Sequence, residues 1–339
     1  MSFFLLAVNA LASIFQKCST WSAEPSFPMR ALALAAAAIS HFALPRHAMR
    51  PPHISIVCLN RLLLEPSECH NSGDTEPDAP LVAVLAPDDP RTVHVQKLLR
   101  LADGDTVRAG VLDGGRCEAV VRWQPASSGE EVGMTLRLEL DAASRMLAPA
   151  ERPRVDLILA MPRPPQFTRL LPVLASLGVD TIFLTGAARV EKSYWSSHLL
   201  RPDRAADLRA ELVDGLEQSG CTAVPRVVAE RSLQRTLELA AEAAEAAGGP
   251  PPLRLLAHPR RADAPFVPQI LDALAAAGDA AQDAPGGRRR VLIAVGPEGG
   301  WEEPRELDEL REAGFTQVCI YIYMYMYMCT STSIWLYFM

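Results

Sequence analysis

Between Arg154 and Phe315 short apolar runs alternate with helical patterns, and this rhythm constrains the fold more than any other feature. Strand-like runs lie at residues 155–160, 179–184, 223–229, 253–258 and 291–295. Helical patterns at 167–177, 204–218, 233–247, 267–277 and 303–313 separate and follow them. Parallel strands need a crossover connection, usually a helix, so the alternation predicts an α/β domain with a parallel sheet. Gly178, Gly220, Gly248, Gly278 and Gly314 follow the five helices, where glycine supplies a left-handed cap.

The preceding stretch reads differently. Residues 81–86, 106–112, 117–123 and 135–140 form short strand patterns. Turn signals divide them: Ala-Asp-Gly-Asp at 102–105, Asp-Gly-Gly at 113–115 and Ser-Ser-Gly at 127–129. One helical piece lies at 94–101. A small β-barrel of roughly 80 residues is expected, and residues 149–153 read as a linker. At about 150 residues per domain, a chain of 339 residues accommodates two domains.

Both ends are biased. Residues 1–50 hold one acid, Glu24, against Lys17, Arg30, Arg46 and Arg50, and are rich in Ala and Ser. Residues 1–58 therefore read as a plastid or mitochondrial transit segment, with a secretory signal as the rival. Met29 and Met49 are alternative starts, and a later start would leave the protein cytoplasmic. Residues 321–339 carry no charge and alternate Tyr, Met and Ile, which reads as a low-complexity tail outside the fold. The alternatives are a Tyr-rich edge strand, which would be an exposed aggregation hazard, and a transmembrane helix, which Cys329-Thr-Ser-Thr-Ser333 interrupts; no membrane partner is expected.

The apolar share is 49%, which excludes a mainly disordered chain. The net charge is −7, so a basic surface for nucleic acid must be local. Lys97, Arg100, Arg108, Arg116 and Arg122 in the β module are candidates for such a patch; the alternative is a solvated charged face. The seven Cys are scattered without metal-ligand spacing, and no metal site is expected.

Gly296-Pro297-Glu298-Gly299-Gly300 stands between a strand and a helix, where backbone N–H groups can cradle a ligand. A tight turn is the alternative. Glu298, Glu302 and Glu303 crowd this loop and would oppose a pyrophosphate, so a cationic ligand such as a sulfonium fits better. The run RVEKSYW (189–195) gathers two cations, a hydroxyl and two aromatics, which can hold phosphate and stack bases; a solvated loop is the alternative. His258 stands where α/β sites form, at a strand's C-terminal edge, or serves as a structural hydrogen-bonding group.

An ordered set of segments resembles one family. These are HVQKLLRLADGD (94–105), LASLGVDTIFL (174–184), RVEKSYW (189–195), GLEQSGCTAVP (215–225), LLAHP (255–259) and VGPEGGWEEPRELDELREAGF (295–315). Over about residues 59–320 the chain is similar to the 16S ribosomal RNA uridine N3-methyltransferases (RsmE) of the SPOUT superfamily. The resemblance implies a PUA-like RNA-binding barrel at 59–148 and a trefoil-knotted α/β methyltransferase domain at 154–320. It also implies S-adenosyl-L-methionine as cofactor, small-subunit ribosomal RNA as partner, and a homodimer.

Carried over by position, Leu256, His258, Pro259, Gly296, Glu298, Gly299 and Gly300 would bind the cofactor. Arg189 would be the catalytic cation, and Glu217 and Gln218 would match an acidic-polar pair. The family continues past its last strand with an Arg-rich segment and a helix, whereas here the match stops at Ile320. Two expectations follow: an active ribosomal RNA methyltransferase, or an RNA-binding product lacking the last cofactor motif.

Overall fold

The computed structural model describes residues 61–71, 80–126, 133–140, 146–150, 152–258 and 289–318. The expected transit segment, the helix expected at 267–277 with its Gly278, and the Tyr/Met tail lie outside these residues. The chain divides into two compact units. One holds Val57–Arg152 together with Val213–Val224; the other holds Pro153–Leu212 and the residues from Pro225 onward.

The first unit contains β1 (Leu62–Leu64), β2 (Cys69–Asn71), β3 (Leu81–Leu85) and α1 (Pro90–His94), which continues into a π-helical turn at Val95–Leu99. Strands β4 (Thr106–Val111), β5 (Arg116–Pro125) and β6 (Met134–Leu140) follow. They form one six-stranded sheet in the order β1-β4-β5-β6-β3-β2, antiparallel except for β1 with β4. Leu136, Leu138 and Leu140 alternate with Arg137 and Glu139 along β6, so one face is buried and the other polar.

The helix begins earlier than its apolar pattern indicates. Asp89 accepts a hydrogen bond from the Arg91 N–H at 2.8 Å, and Pro90 occupies the first turn. It ends at Arg100, which adopts φ 54°. Arg91 binds Glu68 at 2.6 Å and Asp89 at 2.7 Å, and donates to the Leu63 carbonyl at 2.9 Å.

The segment 213–224 belongs with this sheet because its backbone bonds there. The Asp113 N–H donates to the Thr222 carbonyl at 2.8 Å, and the Val224 N–H to the Asp113 carboxylate at 2.9 Å. The first unit is thus built from two stretches of chain rather than one.

The second unit contains β7 (Val155–Ala160), α2 (Pro164–Ser176), β8 (Thr181–Thr185), and three short 3-10 turns between Lys192 and Arg204. Helix α3 (Ala205–Glu217) starts in this unit and ends in the first. Then come β9 (Arg226–Glu230), α4 (Leu233–Ala247), β10 (Leu253–Ala257), β11 (Val291–Val295), α5 (Arg305–Glu312) and β12 (Thr316–Val318). The sheet order is β12-β10-β11-β7-β8-β9, and every pairing is parallel. Every residue of β7, β8 and β11 is buried, as central parallel strands require.

Because all six strands run one way, the segments after β7, β8, β9, β10 and β11 emerge at one edge. Chain order reverses between β7 and β11, and α/β folds form their crevice at such a point. Near the opposite ends, Arg290 binds Asp156 at 2.8 Å and Asp180 at 2.6 Å.

Gly178, Gly248 and Gly314 follow their helices with positive φ. Gly220 does not: α3 ends at Glu217, and the Gly220 carbonyl instead accepts from Arg116 at 2.6 Å. Among the described residues no helix is long and apolar enough to cross a membrane.

Candidate active site

β11 delivers Gly296 to the C-terminal edge of the parallel sheet. The Gly300 N–H donates to the Pro297 carbonyl at 2.8 Å and closes a turn, with Gly300 at φ 76°. Trp301 is buried, and its indole lies where a Gly296 side chain would begin: a Cβ there would stand 3.0 Å from the ring. The loop is therefore shaped by two glycines and an indole.

Glu306, in the first turn of α5, fastens the loop after β8 to this helix. It is 4% exposed. Its Oε1 accepts the Ala188 N–H at 2.6 Å and its Oε2 the Glu302 N–H at 2.7 Å. A carboxylate is favoured at a helix N-terminus, and here it also satisfies two backbone donors. The sequence motifs do not single out Glu306. Its signal is phase: Glu306 and Leu310 are four apart on one helix face, so the carboxylate points with the core residues.

Fixed in this way, the β8 loop places Arg189 against the glycines. Arg189 Nη1 donates to the Gly299 carbonyl. A Cβ on Gly299 would meet Arg189 Cδ at 3.1 Å; one on Gly300 would lie 3.7 Å from His258 Cε1 and 3.8 Å from Arg189 Nη1. His258 is buried after β10, with Nε2 2.9 Å from Glu303 Oε1. Among the described residues, His258 Nδ1 and Trp301 Nε1 are buried without a hydrogen-bond partner. Arg189, His258, Gly299 and Gly300 thus converge from three loops, with Gly296 behind them against Trp301.

Other expected site residues stand elsewhere. Leu256 is fully buried in the core, so its side chain is committed to packing. Pro259 lies outside the described residues. The three carboxylates do not present an acidic face. Glu298 pairs with Arg163 at 3.6 Å, Glu302 with Arg305 at 2.9 Å, and Glu303 with His258. Glu298 and Glu302 thus each have a cationic neighbour, which offsets part of the negative charge at this loop. Arg163 also donates to the Tyr194 hydroxyl at 3.0 Å, bringing RVEKSYW to the loop after β7.

In the first unit, Lys97, Arg100, Arg108 and Arg116 are exposed. Arg122 is held by Asp103 at 3.3 Å and Glu139 at 3.4 Å, so it is not a free member of a patch. Arg61, outside the set of cations expected from the sequence, joins Arg108 and Arg116. Burial lowers the pKa of Arg61, and the charges of Arg116 and Arg108 lower it further. Glu217, at the end of α3, is half-buried; burial, reinforced by Asp214, holds its carboxyl above the usual carboxylate range.

Residues 150–320 match the family model of the RNA methyltransferase domain. The chain is 31% identical over 152 residues to the ribosomal RNA small subunit methyltransferase E of Treponema pallidum (strain Nichols), covering 45% of this chain and 53% of that protein. It therefore spans about half the length of the curated relative it matches. Among solved structures, it is similar to a ribosomal RNA small subunit methyltransferase E from Neisseria gonorrhoeae bound to S-adenosyl methionine. The TM-score is 0.45 at 18% identity, covering 77% of this chain and 88% of that one. Another is the SpoU methyltransferase AviRb from Streptomyces viridochromogenes, with a TM-score of 0.29 at 15% identity, covering 56% and 58%. The family match covers half of the chain and takes in Arg189, His258 and the whole Gly296–Gly300 loop: the protein belongs to the RNA methyltransferase family.

Proposed function

We propose that this chain transfers a methyl group from S-adenosyl-L-methionine to N3 of a uridine in small-subunit ribosomal RNA. The observation that carries this reading is the convergence of Arg189, His258, Gly299 and Gly300 at one sheet edge, inside the matched segment. When bound, S-adenosyl-L-methionine supplies an electrophilic methyl group on its sulfonium.

The residues present fit such a group. Gly299 and Gly300 put no side chain between the loop backbone and the Arg189 and His258 side chains that face it, and Leu256 offers only main chain. His258 Nδ1 and Trp301 Nε1 are buried polar atoms that a polar ligand would satisfy. Uridine N3 must lose its proton to attack, which builds negative charge on the base. Arg189 spends one of its five N–H donors on Gly299 and keeps others to stabilise that charge. The β8 loop holds this guanidinium in place through Glu306, so little reorganisation is needed at reaction.

The reading extends to a trefoil-knotted second unit, a PUA-like first unit that binds RNA, a homodimer, and a plastid or mitochondrial location. The test measures methyl transfer to small-subunit ribosomal RNA alongside RNA binding. Arg189→Ala is expected to lower the rate about 10²-fold with RNA affinity nearly unchanged. Gly299→Val is expected to abolish cofactor binding in calorimetry. Unchanged transfer in Arg189→Ala would remove this residue from the reaction, and no methylated uridine with the wild-type chain would overturn the function.

A further inference from the structure

The loop after β8 also walls an open cleft of about 600 Å³, within the size range of small-ligand sites. Lys192 and Trp195 line it from one side, Arg231 and Ser232 after β9 from another, and Arg305 and Glu309 from α5. The guanidinium of Arg231 lies over the Trp195 indole, 5.5 Å from the ring centroid. A cation held on a ring face is positioned without using its N–H donors. Among the described residues the side chains of Arg231 and Lys192 have neither an ion-pair nor a hydrogen-bond partner. Arg305 is paired with Glu302, and both oxygens of Glu306 are taken by backbone N–H groups, which leaves Glu309 as the acid a bound anion must avoid.

Two uncommitted cations beside an indole, in a cleft of this size, match a phosphate attached to a planar base. We propose that the cleft holds one nucleotide of a single-stranded segment of the substrate RNA. Lys192 and Arg231 take its phosphate, and Trp195 takes its base on the ring face opposite the Arg231 guanidinium. The inference rests on the methyltransferase reading for the identity of the RNA as substrate. The cleft is coupled to that site through one residue step: Ala188, in its wall, is bonded to Glu306, and the next residue, Arg189, is bonded to Gly299. An unpaired base is required because a paired one has no face free for the indole.

The test titrates the full-length chain with a fluorescein-labelled oligouridylate over a series of salt concentrations, while calorimetry follows S-adenosyl-L-methionine binding in the same proteins. Lys192→Ala combined with Arg231→Ala is expected to weaken oligouridylate binding more than tenfold. The same variant should lower the salt slope by about 0.7 for each phosphate left without its cation. Trp195→Ala should weaken binding about tenfold and Trp195→Phe far less, since phenylalanine retains a stacking face. Cofactor affinity should stay at the wild-type value in all of them. A double variant with wild-type affinity and slope would overturn the proposal. So would competition by duplex RNA or polyglutamate as effective as that by the single strand. Failure of the wild-type chain to bind S-adenosyl-L-methionine would instead strike the methyltransferase reading and leave the cleft result standing.

Discussion

Gly300 and Glu306 show how single residues shape the candidate site. Gly300 sits at φ 76°, where any other L-residue is strained by roughly 1–2 kcal/mol. Gly300→Ala is therefore expected to lower the unfolding free energy by about that amount, and denaturant titration checks it. Glu306→Ala leaves the Ala188 and Glu302 N–H groups without their acceptor, at a cost of about 2–4 kcal/mol for the two. The same variant frees the loop that carries Arg189, so the methyl-transfer rate should fall even under conditions where the chain stays folded. A rate unchanged in folded Glu306→Ala would show that Arg189 keeps its place without this carboxylate. The glycines were legible from spacing because backbone need is written in residue type. Glu306 was not, because only the phase of α5 distinguishes a buried carboxylate from a solvated one.

Central elements were the most legible in the sequence. The strand at 155–160, the helix at 233–247 and the strand at 291–295 were expected at the bounds they occupy. Their apolar runs are bounded by Pro, Gly or a Ser cap, so local and tertiary signals agree. Short edge strands such as β1, β2 and β12 are not legible, since three residues carry too little periodicity and form only against their pairing partners. The Asp89-Pro90 start of α1 precedes the apolar pattern, so the pattern alone points to a later start.

Arg91, in that same helix, sets an acid-side stability limit for the first unit. Its hydrogen bonds hold the Glu68 carboxyl below its ordinary 4.5. Burial pushes Asp89 up, but Arg91 outweighs it and holds that carboxyl below 3.8. The unfolded chain then binds more protons than the folded one, so this stabilisation is present above those values and lost as pH falls through the folded ones. Arg91→Ala should destabilise by about 2–4 kcal/mol near neutrality and flatten the acid limb of stability against pH. Glu217 has the opposite sign. Burial raises its carboxyl above 4.5, so the folded chain keeps the proton longer and stability falls as pH rises through that window. Glu217→Gln should raise stability at neutral pH and remove that decline, as urea titrations at several pH values would register.

The molecule as a whole is acidic at −7, so under the proposed function attraction to RNA has to come from the local arrangement of cations rather than their sum. Lys and Arg counts in the β module were readable from the sequence, but their pairing was not, because an ion pair depends on which strands lie side by side. Arg122 and Glu139 are seventeen residues apart and meet only because β5 and β6 pair. This separates cations that the sequence placed together. Burial, and after it the charges of Arg116 and Arg108, hold the pKa of Arg61 down, and a phosphate beside these cations would offset those charges. Arg122 already has Asp103 and Glu139 and gains little from a phosphate. Arg108→Ala should therefore weaken binding of small-subunit ribosomal RNA at low salt and reduce the salt slope by about one unit. Arg122→Ala should leave both within error. Arg116→Ala carries a second effect, since its Nη1 also holds the Gly220 carbonyl at 2.6 Å, so its loss should lower thermal stability as well as RNA affinity. Equal losses for Arg108→Ala and Arg122→Ala would mean that the RNA breaks the Arg122 ion pairs on binding, and that charge count rather than pairing governs this surface.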